Sequence, residues 1–455
     1  MTSTPTTRPA RGGILSPPYA ATTIGIFALI AFNAFETLAV TTIMPTVSRD
    51  LGGFALYALA FAAPLASAVV GMVAAGTWSD RHGPAGALLV SLVLFTMGIL
   101  VSGLAPTMPV LVTGRVVQGL GTGALIVSLY VVVGIVYPAR LQPAVFASFA
   151  AAWVLPSLFG PAIAALVADA FGWRWVFLGI VALVVLAALL VAPVVPGLRR
   201  PARDARRTPR ARLLPWAMLA AAAVLGVELA GSRGGLPLAA AAAAVVVVAL
   251  RPLTPRGTLV AARGLPSVIG TRGMMSGAFF CGQAYIVLVL QDRWGYSPGD
   301  AGIALTVVGV VWASLSQVQA RLGDKVTSET AMRIGTGVLL VAVVGLWLTV
   351  WLDAPGALAG AAFVLAGSGM GFGFSRTGVA MLAASSEDDR GFNSSALSIA
   401  DSISAALALA LCGIGYELAG TLRGDPFLTV FGVAIVFAVG AVVTSARTPR
   451  PVSPA

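Results

Sequence analysis

Residues 22–45 read TTIGIFALIAFNAFETLAVTTIMP, an apolar run in which Glu36 is the only charged side chain. A run of this length is typical of a helix that crosses a membrane. An unpaired charge is costly at membrane depth, so a carboxylate there needs a partner or a bound proton. The stretch therefore predicts a first transmembrane helix that carries an acid with a defined role.

The composition of the whole chain supports this interpretation. Of the 455 residues, 58% are hydrophobic and only 10% are charged, and the mean hydropathy is +0.94. A soluble protein could not cover itself with so few charges, and we expect an all-α polytopic membrane protein. The net charge of +11 does not indicate nucleic acid, because the arginines lie in short loops between apolar runs.

Two further features exclude other classes of protein. The first apolar run is too long for the core of a signal peptide and has no small-residue cleavage pattern, so we expect it to be retained. Cys281 and Cys412 lie within apolar runs, which indicates neither a disulfide framework nor a metal site.

The apolar runs predict fourteen spans arranged as six, two and six. The second run of the central pair has only about 16 residues, near the lower limit for a spanning helix. If that pair forms a re-entrant hairpin, the alternative count is twelve with the same orientation. The runs lie near 22–45, 55–78, 86–105, 109–137, 143–168, 174–195, 213–231, 235–250, 267–290, 299–319, 331–352, 357–384, 392–418 and 426–445.

The basic residues predict the orientation. With both termini cytoplasmic, nineteen basic residues fall in cytoplasmic segments and four in outer loops, a strong positive-inside bias in the cytoplasmic (inner) cell membrane. Residues 198–212 form a basic cytoplasmic linker, which is a solvated segment at the membrane surface or a site for anionic lipid. The predicted divisions are a cytoplasmic tail (1–21), an N-terminal six-helix bundle (22–197), the basic cytoplasmic linker (198–212), two extra helices with a cytoplasmic loop (213–266), a C-terminal six-helix bundle (267–446) and a cytoplasmic tail (447–455).

The loop after the second run reads GTWSDRHGPAG, residues 76–86. It resembles the loop between helices two and three of the major facilitator superfamily, in which glycines suit a tight turn. The family usually has basic residues after the second glycine, where this chain has Pro84 and Ala85. The resemblance assigns a gating role to Gly76, Asp80, Arg81 and Gly83.

The fourth run contains LVTGRVVQGLGTG, residues 111–123. It resembles the fourth-helix motif of the same superfamily, with Arg115, Gln118 and Gly119 at matching positions. Close helix packing on Gly119 and Gly123 is the alternative explanation of the glycines. Packing does not explain an arginine in a span, which needs a partner.

The fifth run contains WVLPSLFGPAIAAL, residues 153–166. It resembles the fifth-helix motif of the superfamily's antiporters, whose Gly-Pro pair matches Gly160 and Pro161. Pro156 and Pro161 each remove a backbone hydrogen bond, so a bent helix is expected. The resemblance implies a gate element and favours an exporter over an importer.

The first run also resembles a family pattern. ETLAVTTIMPTVSRDLGG, residues 36–53, is similar to the first-helix pattern of the fourteen-helix drug:proton antiporters, with Glu36 in place of the commoner Asp and a matching Pro45. A weaker match to the loop between helices two and three, ARLGDK, lies in the second half at 320–325. The resemblance implies the major facilitator fold, two six-helix bundles plus two extra helices.

Depth in the membrane sorts the ionisable residues within the spans. Glu36 and Arg115 lie at similar depths on helices that the family places side by side, and Arg376 and Asp401 also lie at depths that allow pairing. Glu228 near the outer end suggests a surface pair with Arg233, and Arg272 near the inner end suggests snorkelling. We assign proton coupling to Glu36, Arg115 and Asp401, and a substrate cavity to Asn33, Tyr130, Trp153, Gln283, Tyr285, Arg376 and Asn393.

These features predict proton-coupled efflux of hydrophobic, cationic or related small molecules. A major facilitator transporter of another cargo (a lipid, siderophore, sugar or amino acid) or a non-transporting membrane sensor or assembly protein is the alternative. No nucleotide-binding loop or nucleophile–base set is visible, so we expect no enzyme activity, no cofactor and no metal. The expected partners are a small-molecule substrate, protons and membrane lipids, with no nucleic acid, and the expected state is a monomer.

Overall fold

The computed structural model describes residues 13–17, 19–138, 140–198, 210–231, 235–322, 325–386, 389–421 and 424–448. These ranges are almost entirely helical. The α-helices are α1 (Ala20–Asp50), α2 (Tyr57–His82), α3 (Pro84–Gly103), α4 (Met108–Val136), α5 (Gln142–Ala151), α6 (Val154–Phe171), α7 (Arg174–Val191), α8 (Leu214–Gly231), α9 (Leu236–Leu253), α10 (Leu265–Trp294), α11 (Pro298–Leu322), α12 (Ser328–Trp351), α13 (Gly356–Ala383), α14 (Arg390–Thr421) and α15 (Pro426–Ala446).

Fourteen helices in the described ranges are long and apolar enough to cross a membrane, which confirms the count of fourteen spans. The central pair, α8 and α9, has 18 residues in each helix, or roughly 27 Å at 1.5 Å per residue. The helix α9 is longer than its apolar run because it continues through Arg251 to Leu253. An arginine at a helix end can extend its head group to the membrane surface, so it does not end the span.

The fifth predicted span is broken into α5 and α6. The first part ends at Ala151 and the second begins at Val154. Pro156 has no N–H, so the carbonyl of Ala152 loses its usual helical donor. The predicted bend is therefore found as a break, and Pro161 lies inside the uninterrupted part of α6.

Helix packing joins the two halves along two lines. The helices α1–α4, α6 and α7 pack mainly on one another, and so do α10–α15. Between these groups, α2 packs against α14 and α6 packs against α11. The helix α8 packs on both α2 and α14, with α9 behind it. The predicted domain boundaries stay a prediction, and much of the basic linker lies outside the described residues.

The turn between α2 and α3 depends on one glycine. Gly83 has a φ of +81°, a backbone conformation that other residues adopt at a cost, and it lets α3 begin directly after α2 ends. Gly76 lies inside α2, where an added Cβ would be 3.9 Å from Val127. The expectation that Gly76 forms part of the turn is therefore wrong. Asp80 and Arg81 lie in the last turn of α2.

Candidate functional site

A buried ion pair joins α1 to α4. The Glu36 carboxylate accepts a hydrogen bond from Arg115 Nη1, and both side chains are almost fully buried. Arg115 Nη1 also donates to Gln118 Oε1 at 2.6 Å, and its Nε donates to the Ala60 carbonyl of α2 at 3.1 Å. A buried charge is tolerated only when it is paired and hydrogen-bonded. The cluster meets both conditions, and Glu36 and Arg115 meet as their predicted depths require.

Glycines on α4 bring this helix close to α2. An added Cβ on Gly119 would overlap Ser67 and the Pro64 backbone, and one on Gly123 would overlap the Ala68 backbone. Close packing therefore explains both glycines, as the packing alternative predicted. The close approach also brings the Ala60 carbonyl within reach of Arg115. The motif thus combines a packing surface with the ion pair. Gly160 on α6 has more room, because its added Cβ would be 3.5 Å from Phe35.

An apolar cavity of about 110 Å³, which we call the Asn33 cavity, lies between α1, α4 and the break before α6. It contains three of the predicted substrate residues: Asn33, Tyr130 and Trp153. Tyr130 and Trp153 are 47% and 42% exposed, so the cavity opens to its surroundings. Tyr130 stacks on Phe149 of α5, with ring centroids 5.6 Å apart. The other lining residues are Leu29, Ile30, Thr122, Leu125, Ile126 and Leu129.

The ion pair and the cavity share one face of each helix. On α1, the cavity residues Leu29 and Asn33 precede Glu36 by seven and three residues. On α4, Thr122 follows Arg115 by seven residues. Because residues at these spacings lie along one side of an α-helix, the cavity lies on the same side of both helices as the ion pair and begins one turn from Glu36 on α1.

The second half contains another intramembrane ion pair, with a partner that differs from the predicted one. Asp401 on α14 accepts hydrogen bonds from Arg272 Nη2 at 3.2 Å and from the Ser276 hydroxyl. The Arg272 guanidinium lies 3.3 Å from the centroid of the Phe374 ring and donates to Thr377 Oγ1 at 3.3 Å. The pairing of Asp401 with Arg376 is therefore wrong, and so is the snorkelling predicted for Arg272.

The direction of the side chains around α13 explains this difference. Thr377 faces Arg272, and neighbouring residues on a helix point about 100° apart. Arg376 consequently points toward α11, where its Nη2 lies 3.4 Å from the Gln319 carbonyl. Ser276, one turn after Arg272 on α10, was missed by the sequence analysis, although Arg and Ser at this spacing share a helix face.

Three other predicted cavity residues lie away from the Asn33 cavity. Gln283 is buried in α10. Asn393, at the start of α14, donates to the Ser385 hydroxyl at 2.9 Å. Tyr285 is fully buried and packs edge-on against Tyr57.

The prediction that Glu228 lies at the surface is wrong. Its exposed fraction is 1%, and it lines a small pocket with Tyr57, Tyr285 and Gly413. Its predicted partner, Arg233, lies outside the described residues. No local pattern in the sequence indicates this burial, because it depends on where the extra helices pack.

Contacts between the halves are concentrated at one end. We call the end at which α1 terminates the outer end, following the predicted orientation. There, Arg49 of α1 forms an ion pair with Asp292 of α10, and the Tyr57 hydroxyl donates to the Ala284 carbonyl at 2.6 Å. The Asn33 cavity, which is lined by the first half of α1 and the second half of α4, lies toward the other end. The structure is therefore closed at the outer end.

The described residues contain no group of three or more His, Cys, Asp or Glu side chains placed to hold a metal ion. Cys281 and Cys412 are free and buried, with sulfur atoms 3.1 Å apart.

Comparisons of sequence connect this architecture with known transporters. The model of the Major Facilitator Superfamily matches residues 26–409. A probable multidrug-efflux transporter of Mycobacterium tuberculosis is 29% identical over 443 residues, covering 91% of this chain and 90% of that protein. A multidrug efflux pump of Staphylococcus aureus is 19% identical and covers 93% of this chain and 95% of that protein.

Solved structures show the same fold. A POT family transporter in complex with a thioalcohol-conjugated peptide has a TM-score of 0.69 at 16% identity, covering 93% of this chain and 94% of that chain. A D-xylose–proton symporter has a TM-score of 0.64 at 16% identity, covering 96% and 97%.

Proposed function

This chain belongs to the major facilitator superfamily, and on that premise we propose that it exports hydrophobic, often cationic, small molecules in exchange for protons. The protein is a multi-pass membrane transporter. Its similarity to multidrug-efflux transporters over nearly the whole chain supports drug-like cargo. The proposed gate is formed by the α2–α3 turn and the α5–α6 break.

One observation carries the proposal: a sealed Glu36–Arg115 pair adjoins an open apolar cavity on the same helix faces. An apolar cavity with few polar groups suits hydrophobic molecules of varied shape. An importer of charged nutrients would need several charges that converge on its cargo. A carboxylate at membrane depth is a usual site for proton relay in transporters.

Charge links the proton to the cargo. In the paired state, the Glu36 carboxylate and the Arg115 guanidinium neutralise each other. A proton on Glu36 leaves Arg115 with neutral acceptors, Gln118 and the Ala60 carbonyl, so the site becomes positive. A positive site next to the cavity disfavours a cationic cargo. Proton and cargo therefore exclude each other, which is the condition for antiport.

The proposed orientation has both termini in the cytoplasm. Thr107 precedes α4 at the outer end, and Arg256 follows α9 at the opposite end; both side chains are exposed. In intact cells, a membrane-impermeant thiol reagent should label Thr107→Cys and spare Arg256→Cys. The reverse pattern would contradict the orientation. We also propose that the protein is a monomer whose exposed apolar side chains, such as Leu166, contact lipid.

Transport in inverted vesicles tests the function. A proton gradient with an acidic lumen, directed outward, should drive uptake of a cationic dye in vesicles with the protein, and a protonophore should abolish that uptake. Matched vesicles without the protein provide the control, and an anionic dye of similar size tests selectivity. Uptake that persists without the gradient would contradict proton coupling, and uptake of none of a broad panel of lipophilic compounds would contradict drug efflux.

A further inference from the structure

Glu228 is a buried carboxyl that the proposed exchange at Glu36 does not use. Its exposed fraction is 1%, and neither carboxyl oxygen has a hydrogen-bond partner in the described part of the chain. A Cβ added to Gly413 of α14 would overlap Glu228 Oε1. The carboxyl therefore points away from lipid and lies against the backbone of α14.

Glu228 lies in the outer part of the contact between α2 and α14, which we call the α2–α14 seam. The same added Cβ on Gly413 would lie 2.7 Å from the Ala58 side chain of α2. Three helices thus meet at Gly413: α2 from the first half, α14 from the second, and α8 from the extra pair. Any opening of the outer end that separates α2 from α14 changes the surroundings of Glu228.

Among the described residues, the groups that face Glu228 do not offer it a positive charge. The hydroxyl of Tyr57 donates to the Ala284 carbonyl instead, and Arg49, farther out, pairs with Asp292. Glu417 lines the same small pocket as Glu228 and would be a like charge beside it. The other titratable groups that line the pocket are Tyr57 of α2, Tyr285 of α10, and Tyr416 and Glu417 of α14. Cys412 precedes Gly413 in α14 and is buried.

These surroundings disfavour a charged carboxylate. A buried charge without a counter-ion or hydrogen bonds is costly, and a neighbouring carboxylate adds repulsion. The closed seam therefore fits the protonated form. Once α2 and α14 separate at the outer end, water can reach the group and stabilise the ionised form.

We propose that Glu228 is a second proton-binding carboxyl, carried by the extra helix pair, whose protonation holds the outer end of the α2–α14 seam closed. This inference rests on the proposed proton-coupled function. A proton taken up from the outer side by the open form would then favour closure toward that side. The extra pair thereby acts as a proton-dependent latch, separate from the exchange site at Glu36.

Distances across the outer end test the latch without any cargo. Thr107 and Leu352 are exposed residues of the first and second half, and spin labels on Thr107→Cys and Leu352→Cys report their separation by pulsed electron paramagnetic resonance. The protein without introduced cysteines controls for labelling of Cys281 and Cys412. As the pH rises, the ratio of closed to open molecules should fall by up to about tenfold per pH unit, the slope of a single-proton linkage.

Substitutions assign that response. Glu228→Gln keeps a neutral group of the same shape and should stay closed at every pH, with Glu228→Ala as a second variant without the amide. Glu417→Gln is the matched control: with the repulsion removed, the midpoint should move to lower pH and the slope should stay. A wild-type pH response in both Glu228 variants would overturn the latch.

The outcomes also separate the latch from the antiport. If Glu36→Gln abolishes the pH response and Glu228→Gln does not, the latch is overturned and the exchange at Glu36 stands. If the response follows Glu228 while Glu36→Gln still transports with full proton drive, the latch stands and the exchange at Glu36 is overturned.

Discussion

The two halves of the molecule surround their acids differently. The side chains of Glu36 and Arg115 are 3% and 6% exposed, whereas those of Asp401 and Arg272 are 24% and 19% exposed. A proton can reach the second pair in the present conformation, but it reaches the first only after the surrounding helices move. The sealed pair is therefore the one that can tie proton exchange to a conformational change.

The surroundings of the pairs explain this difference. Three helices enclose Arg115, and each of its hydrogen-bond partners is buried. Arg272 instead lies over the face of Phe374, an interaction that leaves the other side of its guanidinium accessible. We expect water-soluble reagents to reach the exposed pair directly and the sealed pair only after the surrounding helices move.

The largest effect is expected at the sealed pair. Glu36→Gln keeps the shape and hydrogen bonding of the side chain but cannot release a proton, so proton-driven dye uptake should fall by at least ~100-fold. Glu36→Asp is the matched control, with partial activity and a shifted pH optimum. Uptake is measured in inverted vesicles at equal protein level. Full proton-driven uptake by the Gln variant would reverse the comparison and give the coupling role to Asp401.

Chemical modification tests the difference in access directly. A water-soluble carbodiimide with an amine nucleophile should modify Asp401 before Glu36, because only Asp401 is exposed in the closed-outer conformation. Mass spectrometry of peptides from both sites gives the two rates. Equal rates would mean that solvent reaches the sealed pair without a conformational change.

A smaller effect is expected from Asp401→Asn. The variant loses a partly solvated ion pair but retains an acceptor for Ser276, so transport should fall by about tenfold or less, equivalent to about 1.4 kcal/mol. Initial rates of dye uptake over a range of pH provide the measurement. A loss as large as that of Glu36→Gln would show that both pairs are required for coupling.

The smallest effect concerns the identity of the second pair. Arg272→Gln and Asp401→Asn should interact in a double-mutant cycle by about 0.5–1 kcal/mol, because each removes the same contact. Thermal unfolding in detergent gives the free energies. Arg376→Gln is the control and should combine additively with Asp401→Asn; coupling to Arg376 in place of Arg272 would contradict the observed partner.

The sequence was most informative where a motif fixed both the helix and the depth. Glu36 and Arg115 were predicted to meet because each lies on an identified span at a matching height. For the second half, depth alone gave the height of Asp401 but not the direction of side chains around α13. Depth therefore favours Arg376 as the partner, whereas Arg272 faces the acid in the structure.

Other features required knowledge of tertiary packing. The burial of Glu228 depends on α8 lying across the line between α2 and α14, which no local pattern in the sequence indicates. The prolines predicted a bent fifth span, but the point at which the helix breaks also depends on the contacts of α5. Three of the residues predicted to line a substrate cavity share one cavity, because the helices that carry them are adjacent in the fold; their contact with cargo stays a prediction.

The break between α5 and α6 has a consequence for the range of cargo. The helix α6 packs on α11 across the two halves, while Phe149 of α5 and Trp153 at the break line the cavity. In a continuous helix, any movement of the cavity wall would also move the residues that contact α11. Because the helix is interrupted between Ala151 and Val154, we expect α5 to shift around a wider or narrower molecule while α6 stays in place. The break would thus let the cavity accept cargo of different shapes while the contact between α6 and α11 stays intact.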